Sequence, residues 1–346
     1  MNELNLKDKK IVIFGTGAIG ATLAAWLYPF HDNLYCFDKK EITDVIDING
    51  ITVYHIDSPD KRENYKIKTM HKIEEISDAD IIIFCVKNYS LEGCAKAVKD
   101  VLKNSATIIS MANGIDNQYI LPKYFDKIIY GVISYNAWID TPGVAGYQKK
   151  GPFILGTPDN SLMDEMQVIA DYFSNGVETI VTKHLQDAVH SKIVINLTNA
   201  LTTLIGHGYR EISDIDTFQR LLSNTLYEGV KIVKKAGYNE CKLGGMPPWI
   251  LIKLSAKLPR LITRPLFLKN VKKMVKSSMS QDIIQRGMHM SELDSLTGYI
   301  VKLAKQNGIK APYNGTIYNL CQERFNQSKF EPMDVKEVWE RVKENL

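Results

Sequence analysis

The chain predicts a doubly wound, mainly parallel α/β domain followed by an all-α domain, and three observations carry that prediction. Its 346 residues exceed what one hydrophobic core comfortably supports. Short apolar strands alternate with helical stretches through the first half, and past about residue 183 the strand signal gives way to a 3.6-residue period. The composition, 45% hydrophobic and 24% charged, excludes extended disorder, collagen-like and low-complexity architectures.

The strand candidates are 11–14 (IVIF), 34–37 (LYCF), 81–86 (IIIFCV), 107–110 (TIIS) and 128–133 (IIYGVI). Each is short, rich in β-branched or aromatic residues and bounded by turn formers or lysine, as strands buried on both faces are. Helices are expected at 18–28 and 89–102. Two weaker strands, 51–55 and 65–70, read as an edge insertion before the fourth main strand. The Gly- and Pro-punctuated stretch TPGVAGYQKKGPFILG predicts antiparallel strands that close the sheet. Helical periodicity then covers 184–205, 214–236, 247–284 and 289–307, with breaks at Gly237 and the Gly244-Gly245…Pro247-Pro248 cluster. The expected domains are 1–182 and 183–346, and ligand sites favour such junctions.

The net charge of +4 is misleading as a guide to partners. Residues 241–281 carry nine basic groups and no acid; without them, 34 basic residues face 39 acidic ones. The chain is acidic with one local basic segment, and no nucleic-acid reading motif accompanies that charge. No apolar run reaches the roughly 20 residues needed to cross a bilayer, and the polar N-terminus lacks a secretory hydrophobic region, so a cytoplasmic protein is expected. Five widely spaced cysteines without a Cys-x-x-Cys pair indicate neither a disulfide framework nor a metal site; Cys36 and Cys85 read as small buried hydrophobes inside strands.

Gly15-Thr16-Gly17-Ala18-Ile19-Gly20 follows an apolar strand and opens a helix, the context a dinucleotide fingerprint requires. Gly15 permits the tight turn, Gly17 lets a pyrophosphate approach the backbone, and Gly20 lets helix and strand pack closely. The helix N-terminus then faces the anion. Asp38, at the end of the second strand, lies 18 residues past Gly20, close to the spacing at which an acid bonds the ribose 2′-hydroxyl. That favours NAD(H), while Lys39 and Lys40 keep NADP(H) open.

Lys87 and Asn113-Gly114 follow directly on strand ends, the edge where open α/β sheets bind ligands. Lys192 lies in an apolar helix, HSKIVINLTNALTTL, where burying it is costly, and Asn196 is four residues on along the same face.

With these pieces in order, the chain resembles the ketopantoate reductase (2-dehydropantoate 2-reductase) family over nearly its whole length. The matching pieces are Gly15–Gly20, Val86-Lys87, Asn113-Gly114, Lys192 to Asn196 with Leu201-Thr202, Ser277-Ser278-Met279-x-Gln281-Asp282, and Glu292-Leu-Asp294-x-x-x-Gly298-Tyr299. The resemblance implies a Rossmann domain joined to a helical domain of the 6-phosphogluconate-dehydrogenase-like type, with substrate bound between them. It implies NAD(P)H-dependent reduction of a small anionic 2-oxo acid, ketopantoate first, as in pantothenate biosynthesis. Lys192 matches the general acid and Glu292 the carboxylate that holds the substrate hydroxyl or the catalytic lysine, which would favour the charged amine. Asn113, Asn196 and Ser278 match substrate-binding residues, Asn113 also lining the nicotinamide, and Lys87 matches a lysine beside the cofactor.

Four departures bear on substrate and cofactor choice. A second family asparagine falls on Ala200; Thr297 stands where asparagine is common; the Ser278 to Glu292 interval is two residues longer than expected; and Asp38 replaces a basic residue that would suit NADPH. Another 2-oxo or β-hydroxy acid therefore stays open, as does a non-catalytic dinucleotide sensor, although retention of Lys192 and Glu292 argues against the latter. The basic stretch 247–276 resembles a basic amphipathic helix interrupted at Pro259 and Pro265, and reads as a helical cover that can also form an oligomer contact, such as a homodimer. A membrane surface or anionic partner is its alternative reading.

Overall fold

A computed structural model describes residues 6–346; the first half of the polar N-terminal stretch lies outside the described residues. The chain divides into two compact units, Met1–Gln186 and Asp187–Leu346.

The first unit runs β1 (Ile11–Phe14), α1 (Ala18–Leu27), β2 (Leu34–Phe37), α2 (Lys40–Asn49), β3 (Ile51–His55), β4 (Arg62–Tyr65), β5 (Lys68–Met70), β6 (Ile81–Phe84), α3 (Asn88–Val101), β7 (Thr107–Ser110), α4 (Asn117–Ile120), β8 (Ile128–Ile133), β9 (Ala137–Thr141), β10 (Val144–Tyr147), β11 (Phe153–Gly156), α5 (Met163–Phe173) and β12 (Thr179–Val181). The main sheet has the order β12-β11-β8-β7-β6-β1-β2-β5. Strands β1, β2, β5, β6, β7 and β8 pair in parallel, and β11 joins β8 antiparallel. β1, β6 and β7 are buried along their full length, which is why they read as continuous apolar runs rather than alternating ones. The order of connection reverses between β1 and β6, so a topological switch point opens beyond their carboxyl ends.

The expected edge insertion is corrected. Only β5 joins the main sheet, whereas β3 and β4 belong to a separate four-stranded sheet, β4-β3-β10-β9. The stretch after residue 134 divides likewise: β11 closes the main sheet, and the β9–β10 hairpin goes to the small one. The parallel pairing of β3 with β10 joins segments far apart in the chain, so local pattern could not reveal it. The small sheet packs on α1, with Trp26 against Tyr147 and Tyr135 and the Thr22 hydroxyl bonded to Tyr135 at 3.1 Å. α1 is thereby covered on two sides. Its sequence, AIGATLAAWL, is apolar around the whole circumference as such a helix must be. Helices α2 and α5 are absent from the sequence reading although each carries an apolar stripe at helical spacing, Ile42, Val45 and Ile46 in α2 and Met166, Ile169, Ala170 and Phe173 in α5.

The second unit is helical: α6 (Leu185–Leu204, which begins just before the division), α7 (Ile215–Lys235), α8 (Trp249–Lys257), α9 (Arg260–Val271), α10 (Ser278–Ser280), α11 (Tyr299–Gln306), α12 (Pro312–Phe325) and α13 (Val335–Lys343). Residues of α6, α7, α10, α12 and α13 share one core. Buried Glu228 of α7 accepts the backbone N–H groups of Tyr313 and Asn314 at 3.1 and 2.8 Å, placing an anion at the N-terminus of α12. The long helix expected over 247–284 is broken at Pro259, which starts α9, and again before Ser277, whose hydroxyl caps α10. Pro265 does not interrupt: it sits inside α9. The stretch expected as helix from 289 begins later, in a π turn at Asp294–Gly298, and a second π turn follows α10 at Gln281–Gln285. No described helix is long and apolar enough to cross a membrane.

A Cβ on Gly20 would lie 1.8 Å from the Gly15 carbonyl oxygen, so Gly20→Ala must push α1 off its strand. We expect a loss on the order of 3 kcal/mol in urea unfolding. Gly93→Ala, on the exposed side of α3 with nothing within 4 Å, should instead gain about 0.5–1 kcal/mol.

Candidate active site

The glycine-rich turn meets the requirements set by its sequence. Gly15 has φ +98°, and its N–H bonds the Phe37 carbonyl at 2.8 Å, tying the turn to β2. A side chain there would meet Val86 at 2.8 Å. Gly17, which precedes the first residue of α1, has open space where its Cβ would be, so a ligand can lie directly on this backbone. The residues present therefore fit a dinucleotide pyrophosphate, held by the N-terminal N–H groups and dipole of α1.

Asp38 follows β2 and turns back onto the loop. Its Oδ2 accepts from the Thr16 backbone N–H at 2.6 Å and the Thr16 hydroxyl at 2.8 Å, and its Oδ1 accepts from the Lys39 N–H at 2.7 Å. A carboxylate has about four acceptor positions, so one is left for a further donor. Lys39 is exposed and precedes the first residue of α2, while Lys40 pairs with Asp44 at 2.6 Å. Lys87 precedes α3, which follows β6, and Asn113 lies in the loop after β7. Because β1, β2, β6 and β7 are parallel, Gly15–Gly20, Asp38, Lys87 and Asn113 all lie along one edge of the sheet.

Asn88 escaped the sequence reading. Its Nδ2 donates to the Asn113 carbonyl, stapling the loop after β7 to the start of α3, and its buried Oδ1 has no partner in the structure. The available signal was a small amide directly after Lys87 at a strand end. Asn117 adds a second tie, donating to Ser110 Oγ at 3.0 Å.

In the helical unit, Lys192 and Asn196 are one turn apart on α6, with Asn196 buried. Burial alone pushes the Lys192 ammonium down to about 8. The cause is withdrawal of the amine from water, which penalises its charged form. Glu292 is buried at the start of the second π turn, where its carbonyl accepts from Leu296 N–H at 3.1 Å. Ser278 is half-buried in the first turn of α10. Their neighbours Leu293 and Met279 share a core with Ala200 and Leu201, so the segments bearing Ser278 and Glu292 pack on the C-terminal part of α6, about two turns beyond Lys192. Thr203 of α6 lies 3.3 Å from Ser277 Oγ, a direct polar link to the first of these segments. Ala200, at the position of the second family asparagine, is itself in this core. The π turn at Gln281–Gln285 lies within the long Ser278 to Glu292 interval and takes up one residue more than an α turn.

The sequence model of the family described as Ketopantoate reductase PanE/ApbA matches residues 11–160, and that of its C-terminal domain matches 184–325. The chain belongs to the ketopantoate reductase family. Among the relatives of this reductase is a 2-dehydropantoate 2-reductase of Pyrococcus abyssi, 25% identical over 315 residues that cover 90% of this chain and 97% of that one. Another, from Halobacterium salinarum, is 23% identical over 319 residues, covering 90% and 98%. D-mandelate dehydrogenase solved with NADH and anilino(oxo)acetate superposes with a TM-score of 0.75 at 19% identity, covering 93% of this chain and 99% of that one. A PanE/ApbA family ketopantoate reductase from Ralstonia eutropha JMP134 gives 0.73 at 20%, covering 92% and 99%. As a ketopantoate reductase family member the chain is an oxidoreductase of the CH–OH class that uses a nicotinamide dinucleotide to reduce an oxo acid.

The depressed Lys192 pKa makes a stability prediction. Between about 8 and the ordinary 10.5 the unfolded chain keeps this proton while the folded chain has lost it, so stability rises with pH across that window. Lys192→Met should raise stability at neutral pH by about 1–3 kcal/mol and remove the rise. Denaturant unfolding at several pH values reads both effects.

Proposed function

We propose that this protein reduces a small 2-oxo acid to the 2-hydroxy acid with NADH, ketopantoate being the first candidate. The observation that carries the reaction is Lys192, a partly buried ammonium on an apolar helix with its pKa brought to about 8. A general acid works best when its pKa lies near the working pH, and at pH 7 most of this lysine is still protonated. Bound dihydronicotinamide supplies the hydride. Lys192 stabilises the negative charge that develops on the carbonyl oxygen and then donates its proton to that oxygen. Glu292 and Asn196 hold the substrate and the amine in position, and Ser278 donates to the substrate carboxylate. Asn113, whose loop is fixed by Asn88, lines the nicotinamide, and Lys87 holds the cofactor from the β6 end.

The preference for NADH rests on Asp38. Its carboxylate is anchored beside the pyrophosphate turn by Thr16, keeps an acceptor position for a ribose hydroxyl, and would repel a 2′-phosphate. The neighbour with D-mandelate in its name was solved with NADH, which agrees with this reading. A second reading changes the substrate to a different 2-oxo acid. Ala200 and Thr297 favour it, since both replace an amide donor by a group that cannot serve in the same way.

Oxidation of NADH and of NADPH against a panel of 2-oxo acids, ketopantoate included, tests the proposal through loss of dihydronicotinamide absorbance. We expect NADH turnover with one or more panel members; cofactor binding without turnover of any would favour the sensor. kcat/KM for reduction should fall about tenfold per pH unit above about 8, as Lys192 loses its proton, while the reverse oxidation rises toward that pH. Lys192→Ala should lower kcat by about 10²–10⁴ with the fold intact, and near-normal turnover would remove it as the acid. Asp38→Ala should weaken NADH on the order of tenfold, and unchanged affinity would dismiss the ribose assignment.

A further inference from the structure

We infer that α8 and α9 together form a docking surface for an anionic lipid bilayer, with the leucine and isoleucine side chains entering the interface and the flanking lysines and arginines meeting the headgroups. This goes beyond the proposed reaction and does not depend on it.

Seven of the thirteen large hydrophobic side chains exposed among the described residues fall between positions 250 and 266, so the apolar exposure is concentrated rather than scattered. α8 buries Trp249 and Ile252, yet carries Ile250, Leu251 and Leu254 on the opposite side, exposed and grouped by helical spacing. α9 has no fully buried residue. Its Phe267 faces the core, with the ring centroid 5.7 Å from that of Phe218, while Leu261, Ile262 and Leu266 are 90%, 63% and 63% exposed. A helix of a water-soluble protein normally turns one apolar stripe inward and a polar one outward. These two turn apolar side chains both ways.

The cations make the outer face specific. Lys253 and Lys257 border the exposed stripe of α8, and Arg264 and Lys269 border that of α9. The surrounding segment, 241–281, has nine basic groups and no acid. Acids from outside it reach in where Asp216 pairs with Arg264 at 2.7 Å and where Glu240 accepts the Trp249 backbone N–H at 2.6 Å. The other bordering cations keep the field positive.

An occupant must offer both apolar depth and negative charge, which an anionic bilayer does. A polyanion such as nucleic acid would use the cations and leave the leucines in water. A second copy across a two-fold axis would set this patch against itself, cations facing cations with no acid in the segment to relieve them.

The test is flotation of the full chain with vesicles of phosphatidylcholine containing phosphatidylglycerol, against phosphatidylcholine alone. We expect at least about tenfold more protein carried up by the anionic vesicles, weakening as salt is raised. The triple variant Leu261→Glu, Ile262→Glu and Leu266→Glu should lose flotation while keeping its circular dichroism and thermal midpoint, since all three side chains are exposed. Absence of flotation, equal flotation with both vesicle types, or flotation of the triple variant like that of the natural chain would overturn the inference. So would a concentration-dependent dimer in analytical ultracentrifugation that the triple variant splits, which would give this face to a second copy. Flotation reads the surface even if no 2-oxo acid is turned over, so failure of one reading leaves the other standing.

Discussion

The close approach of α1 to the turn after β1 is the constraint on which the cofactor half of this protein depends. Where Gly20 passes the carbonyl of Gly15 there is no room for a methyl group, and only that proximity brings the first turn of α1 to the carboxyl edge of the sheet. The rest of the first unit holds the contact shut. The main sheet supports α1 from one side, and the small sheet, with Tyr135 and Tyr147 around Trp26, covers it from the other. A helix held on two sides keeps its dipole aimed without help from the ligand, so the orientation is prepaid in folding rather than at binding.

The helical half rests on a different arrangement of charge. Lys192 is withdrawn from water inside its unit, so the protein carries the cost of desolvating an ammonium. Such a cost is retained where the group has work to do, and its product is an amine that can exchange a proton near neutral pH. The cores that surround α6 are ordinary in composition. They offset the cost by burying Ile193, Val194 and Leu197 on the same helix.

Much of this is legible in the chain itself. Strands buried on both faces are written as short runs rich in isoleucine, without polar alternation, so β1, β6, β7 and β8 can be read directly. The glycine turn is legible because each of its three glycines answers a separate steric demand. The features that escape such a reading depend on distant partners. β3 finds β10 across about half the length of the first unit, and nothing in ITVYH names that partner. The three bonds that Asp38 accepts come from the shape of the turn, whereas its spacing points only to a ribose. Pro265 misleads because a proline is a poor helix former that a helix can nonetheless contain. The π turns are invisible because their period differs too little from 3.6 over five residues.

Those π turns give the region around Glu292 an adjustable length. Each is a helical turn with one surplus residue, and they lie on either side of the carboxylate. Losing a single residue from either would let the turn relax to α geometry and rotate the adjoining residues by about 100°, leaving the helices beyond in their packing. Insertions and deletions are usually confined to loops; here they have a second place to act, inside helices. A lineage could thus re-aim one buried acid by changing the length of the chain, with no side chain at the site exchanged.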